Sequence, residues 1–257
     1  MNRDLAWLTW TEIRDLPKTD GVLLLPIGAI EQHGPHLPVI TDSWQVTEVL
    51  GRALDALPEH VAAWALPPIH YGKSNEHAGF AGTFSLSAGT LTAMLFDIAR
   101  SARDGGFRRL AFVNGHGGNM AALDAAARDI RAETGLMTFC LHPHLFVDAP
   151  FAITDDERRL GFHAGELETS LMLALAPARV HVERAVKHFA DFPAANSLFF
   201  FGAASAAWLT RDWSLTGVFG DATIGTAEKG AAILQAAIPR LAALIGAISV
   251  FEVAHAT

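Results

Sequence analysis

Between residues 22 and 141, short apolar runs alternate with helical segments of about a dozen residues. That alternation constrains the fold more than any other feature. Residues 22–27 (VLLLPI) form a continuous apolar run, the pattern of a strand buried on both faces. Residues 61–66, 109–113 (RLAFV) and 135–141 repeat the theme. Helical spacing fills the gaps at 44–57, 90–103 and 120–133, with Asp42 placed as an N-cap or first-turn acid for the first of these. Strand-helix alternation of this kind predicts βαβ units and an α/β fold with a mostly parallel sheet. Residues 166–176 read as a further helix, and 233–250 as a terminal helix interrupted at Pro239. No repeat, low-complexity tract or linker divides the chain, so one domain over residues 1–257 is expected.

Composition narrows the function. The 257 residues carry a formal charge of −8, which argues against nucleic acid as a partner. A lone Cys140 excludes an internal disulfide and a thiolate zinc cage. The longest apolar runs, 197–209 and 241–251, are shorter than the roughly 18 residues of a membrane span. The first residues lack the apolar core of a signal peptide. A soluble, cytoplasmic protein without a membrane partner is expected.

The 12 histidines are the unusual element, and they cluster beside Gly and Pro. In open α/β sheets, ligands bind beyond the carboxyl ends of the strands, and the His-rich stretches fall there. Glu31 and His33, two apart in an extended segment, share a face. Asp42 follows across a loop stiffened by Pro35 and Pro38. A surface ion pair is the plain alternative for Glu31 and His33. His116 sits in the turn NGHGGN, where Gly115 and Gly117 allow close approach to a ligand and are candidate substrate contacts. A phosphate cradle would be the alternative there, but neither GxGxxG nor a Walker lysine is present. His163 and Glu168 lie in HAGELETS; Glu166 reads as an ordinary first-turn acid. Glu31, His33, Asp42, His116 and Glu168 together supply two imidazoles and three carboxylates. That mixed set suits two divalent ions, Zn²⁺, Mn²⁺ or Fe²⁺, with Asp42 as a bridge and a bridging hydroxide as nucleophile. His163 remains for proton transfer, with Glu168 as a second catalytic candidate.

The ordered motifs IGAIEQHGPHLPVITD, YGKSNEHAGFAGT, NGHGGN, HAGELETS and TGVFGDATIGTAEKG resemble the creatininase (creatinine amidohydrolase) family over residues 21–230. The resemblance implies a three-layer α/β/α sandwich, a binuclear metal centre and hydrolysis of C–N bonds in small or cyclic amides. It also implies homo-oligomers, commonly hexamers. Glu31, His33, Asp42 and His116 match the family's ligands, His163 its catalytic histidine and Ser74 a substrate-contacting serine. His77 is read as structural or substrate-facing.

Two departures argue against creatinine as substrate. Gly117 and Gly118 stand where creatininase has a bulky residue and a ligand Glu, so Glu168 is the candidate that completes the second metal site. No Trp lies between Trp64 and Trp208, and Arg159 and Leu160 occupy the neighbourhood of a pocket Trp. The NGHGGN form looks more like members that deformylate formamides, open other cyclic amides or trim a redox-cofactor precursor peptide. A small amide substrate is the main expectation. A peptidase, or a binding and assembly protein without turnover, are the alternatives.

Overall fold

The structure is a computed structural model that describes residues 2–143, 152–191 and 206–253. His144, the aromatic residues Phe199–Phe201 and most of the 197–209 run lie outside the described residues. After a short helix α1 (Trp10–Arg14), opened by a Thr9–Glu12 capping box, the chain enters β1 (Gly21–Ile27). Helix α2 (Thr41–Asp55), β2 (Ala62–Ala65), α3 (Ala88–Asp104), β3 (Arg109–Asn114), α4 (Met120–Thr134) and β4 (Met137–Leu141) follow. The four strands pair in the order β2-β1-β3-β4, all parallel.

The central strands explain their own composition. Val22 and Leu24 of β1, with Ala111 and Val113 of β3, face a core built with Val46, Leu50, Leu241 and Ile245. Leu23, Leu25 and Ile27, with Leu110 and Phe112, face the opposite core with Leu91, Leu95 and Leu123. A strand buried on both faces has no polar alternate. Each large side chain removed from water in this way contributes roughly 1.5–3 kcal/mol. Helix α2 covers one face and α3 with α4 the other, so the expected three layers are present.

The second half completes the first layer and adds a flap. Helices α5 (Asp155–Leu160) and α6 (Glu166–Leu175) come next, then β5 (Lys187–His188), α7 (Thr210–Trp213), β6 (Gly220–Asp221) and α8 (Ala227–Ser249). Strands β5 and β6 form a separate antiparallel ribbon. Helix α8 packs on α2, α6, β1 and β2. It is long and apolar enough to cross a bilayer by length and composition, yet its Ile233, Leu234, Leu241 and Ile245 are core residues here.

Several expectations are corrected. The helix does not break at Pro239; α8 runs through it and starts six residues earlier than expected, with the Thr226 hydroxyl accepting from Lys229 N. Helix α2 starts at Thr41, so of the two positions expected for Asp42 it takes the first-turn one and not the N-cap. Glu166 is fully buried and pairs with Lys229 of α8, so it is not an ordinary first-turn acid on the surface.

Candidate metal centre

All the chemistry gathers at the carboxyl ends of β1 and β3. Past Ile27 the chain turns at Gly28, whose absent side chain makes room for Ser43 of α2. It then closes a small loop through the His33–Leu37 bridge, with Glu31 N donating to Val39 O at 3.0 Å. This loop directs Glu31 and His33 inward, both fully buried, so the surface ion pair is excluded. Asp42 comes from α2, His116 from the turn after β3, and Glu168 from the first turn of α6.

Asp42 is the hinge of the arrangement. Its Oδ1 lies 3.0 Å from His33 Nε2 and its Oδ2 3.0 Å from His116 Nδ1. Glu168 Oε2 stands 3.8 Å from His33 Nε2, and Glu31 Oε2 3.2 Å from His116 Nε2. Glu31 Oε1 faces His77 Nε2 at 3.4 Å and His163 Nδ1 at 3.7 Å. The ligand-type atoms of Glu31, Asp42 and His116 lie within 4.8 Å of one another, as do those of His33, Asp42 and Glu168, and those of Glu31, His33 and His163.

Each histidine is held from behind. His33 Nδ1 donates to Glu31 O at 3.2 Å, His116 Nε2 to Lys73 O at 3.1 Å, and His163 Nε2 to Gln32 O at 2.8 Å. In His33 and His163 a proton fixed on that nitrogen leaves the other nitrogen facing the carboxylates, the arrangement seen behind metal-ligating imidazoles, while His116 turns Nδ1 to Asp42 and keeps Nε2 near Glu31 as well. Gln32 was not singled out by spacing, yet it ties the site together. Its Oε1 accepts from Gly34 N, and its Nε2 lies 2.8 Å from His77 Nδ1 and 3.0 Å from Gly217 O.

The electrostatics match. Burial penalises a charged His33, but Asp42, with Glu168 and Glu31 behind it, overrides this and raises the ring to about 10. Burial likewise opposes a charged His116, and Glu31 and Asp42 still raise it well above its ordinary value. Asp42 is buried too, and the two histidines hold it far below the usual carboxylate range. Burial, with Asp42 adding to it, pushes Glu168 up to about 7. Burial, helped by His77 and His33, pushes His163 well down, so it is a neutral ring. Both Glu31 oxygens and Asp42 Oδ2 are buried and accept no well-formed hydrogen bond among the described residues. Buried carboxylate oxygens in that condition cost several kcal/mol. A divalent cation satisfies them, and the donor set fits one.

The remaining candidates divide. Ser74 is buried with Oγ 3.4 Å from His116 Nε2, and His77 borders Glu31. Gly117 is exposed with open space where a side chain would be, whereas Gly115 backs onto Asp42 O and Val46 of α2. Glu76, unmarked in the motif reading, brings Oε1 to 3.2 Å from His116 Nε2. Burial raises its carboxyl, but His116 prevails and holds it down to about 2. His36 lies behind the site, its Nε2 2.8 Å from Thr169 Oγ1. Ala164 adopts a left-handed φ of 52° between His163 and Gly165, a strained turn whose N–H donates to Glu168 Oε2. Phe219 bridges the His163 backbone and stacks on Phe162 at 4.5 Å, with Trp208 edge-on.

Comparison with known proteins agrees with this geometry. The creatininase family, described as creatinine amidohydrolase, matches residues 6–245. A mycofactocin precursor peptide peptidase from Mycobacterium tuberculosis is 37% identical over 231 residues, covering 87% of this chain and 84% of the relative. A creatinine amidohydrolase from Pseudomonas putida is 35% identical over 254 residues, covering 91% and 93%. A solved structure titled "Creatininase Mn" superposes with a TM-score of 0.77 at 31% identity, covering 95% of this chain and 98% of the other. A Bacteroides fragilis crystal structure gives a TM-score of 0.84 at 25% identity, covering 99% and 100%.

Proposed function

Because this chain belongs to the creatininase family of hydrolases acting on C–N bonds, we propose that it hydrolyses a small amide with two divalent ions held across Asp42. Glu31, Asp42 and His116 would hold one ion, and His33, Asp42 and Glu168 the other. The observation that carries this reading is the set of buried, unsatisfied oxygens on Glu31 and Asp42. Zinc, manganese and iron all suit the donors. When bound, such ions polarise a carbonyl and lower the pKa of water enough for hydrolysis at neutral pH.

The chain's own residues do the rest. His163 is neutral, with its proton on Nε2 and its Nδ1 lone pair towards Glu31. In that state it would accept at Nδ1 the proton given up by the attacking water and pass it to the leaving nitrogen as the C–N bond breaks. Gln32 holds both His163, through its carbonyl, and His77, through its amide. Ser74, His77 and the open backbone at Gly117 would line the substrate. Phe162, Phe219 and Trp208 would exclude water on the His163 side. Assembly into homo-oligomers, hexamers by family resemblance, belongs to the same proposal; light scattering tests it against the 27.5 kDa of one chain.

A second reading has its own support. The peptidase relative and the open space beside Gly117 favour a short peptide over creatinine. Purified protein would be assayed with cyclic amides, formamides and short peptides, before and after chelation. Hydrolysis that disappears on chelation and returns with metal supports the proposal. Full activity after exhaustive chelation refutes it, and turnover of peptides alone selects the second reading.

A further inference from the structure

The glycine at 118 has a counterpart across the site. A Cβ built there would stand 1.8 Å from Glu76 Oε1, 2.5 Å from His116 Nε2 and 2.6 Å from Lys73 O. The room freed by the missing side chain is therefore filled by the Glu76 carboxylate and the outer edge of the His116 ring. Glu76 sits on the short turn Asn75–His77, its side chain 14% exposed. Its Oε1 lies 3.2 Å from His116 Nε2, and Lys73 Nζ steadies Oε2 at 3.4 Å. The same Nε2 donates to Lys73 O and lies 3.2 Å from Glu31 Oε2 as well, while Nδ1 faces Asp42.

Building on the metal reading above, we propose that Glu76 is a positioning residue of the metal centre. Its carboxylate holds the outer N–H edge of His116 so that Nδ1 is presented to the metal, and only glycine at 118 admits it. A carboxylate behind a ligand imidazole fixes the tautomer and ring plane and raises the ligand's basicity. The absence of the carboxylate that creatininase carries at position 118 is thus accompanied by a carboxylate arriving from another loop, which acts on the histidine instead of binding the ion.

The test is zinc binding to the full chain, measured by competition with a chelator, for wild type, E76Q, E76A and G118A, with E48Q as a surface control. E76Q keeps the shape of the side chain and so preserves the fold independently of E76A and G118A; circular dichroism checks each. The expected result is two zinc ions per chain throughout, with the dissociation constant raised about 10- to 100-fold in E76Q and E76A and unchanged in E48Q. G118A is expected to weaken binding in the same way, because its Cβ expels Glu76. Unchanged affinity in both E76Q and E76A overturns the inference. So does a fall from two ions to one in E76Q, which would make Glu76 a ligand. A wild type that binds no zinc overturns the metal reading itself, and is thereby distinguished from failure of this inference alone.

Discussion

Glu166 and Glu168 stand two residues apart on the first turn of α6, and replacing each by alanine should separate stability from metal binding. Glu166 is fully buried. Its Oε1 pairs with Lys229 Nζ, and its Oε2 accepts from both the N–H and the hydroxyl of Thr154, each at 2.8 Å. E166A removes all three partners at once. Breaking a buried ion pair costs about 3–5 kcal/mol, and the 29% exposure of Lys229 places this case near about 3 kcal/mol. For a domain of this size that is a fall in Tm of roughly 6–12 °C. Glu168 is different. It is 20% exposed and faces His33, and its carboxyl is pushed up to about 7, so its charge is costly in the metal-free protein. E168A should therefore leave metal-free stability within about 1 kcal/mol of wild type while weakening metal binding. Urea unfolding of chelated protein and zinc titration measure the two effects. The double variant E166L/K229M removes the stranded Lys229 charge and should be more stable than E166A, with a remaining loss of about 1 kcal/mol or more from the Thr154 donors left without their acceptor. The reasoning fails if E166A unfolds within about 0.5 kcal/mol of wild type, or if E168A is the more destabilising of the two.

Further outcomes follow from other sites. Burial, with Asp124 adding to it, pushes the Cys140 thiol up to about 12, so alkylation at pH 8 should be roughly 10³-fold slower in the folded chain than in urea; comparable rates would contradict that burial. Burial and the nearby His33 lower His36 to about 4, against an ordinary value near 6.5. The unfolded chain then binds the extra proton first, so stability is full above about pH 6.5 and falls as pH drops towards 4. Between pH 7 and pH 5 the wild type should lose up to about 2 kcal/mol more than H36Q in urea unfolding; parallel losses would refute this. Gly217 has a φ of +81°, and a Cβ there would stand 1.8 Å from Gln32 Oε1. G217A should displace Gln32 from His77 and His163 and lower turnover by about 10²-fold with metal content intact; unchanged turnover would remove Gln32 from the account.

Much of this was legible in the chain because local chemistry decides it. The run VLLLPI has no polar alternate, which only a strand covered on both faces tolerates. Glu31, His33 and His116 follow strands whose ends converge in any parallel sheet, so their meeting follows from topology. Other features depend on tertiary distance and leave no spacing signal. Glu166 and Lys229 are 63 residues apart, and Gln32 and His163 are 131 apart. Pro239 suggested a break, but burial of α8 against α2 and α6 outweighs one lost backbone hydrogen bond. Glu76 was visible only in the negative, as a glycine where a larger side chain was expected.

The metal content of the purified chain, beside that of D42A, bears most directly on the whole reading. Asp42 faces both halves of the site, one oxygen to His33 and the other to His116. The wild type should carry two divalent ions per chain by elemental analysis after zinc loading and desalting, and D42A should lose both together. A wild type without bound metal, or a D42A chain that keeps both ions, would contradict the account.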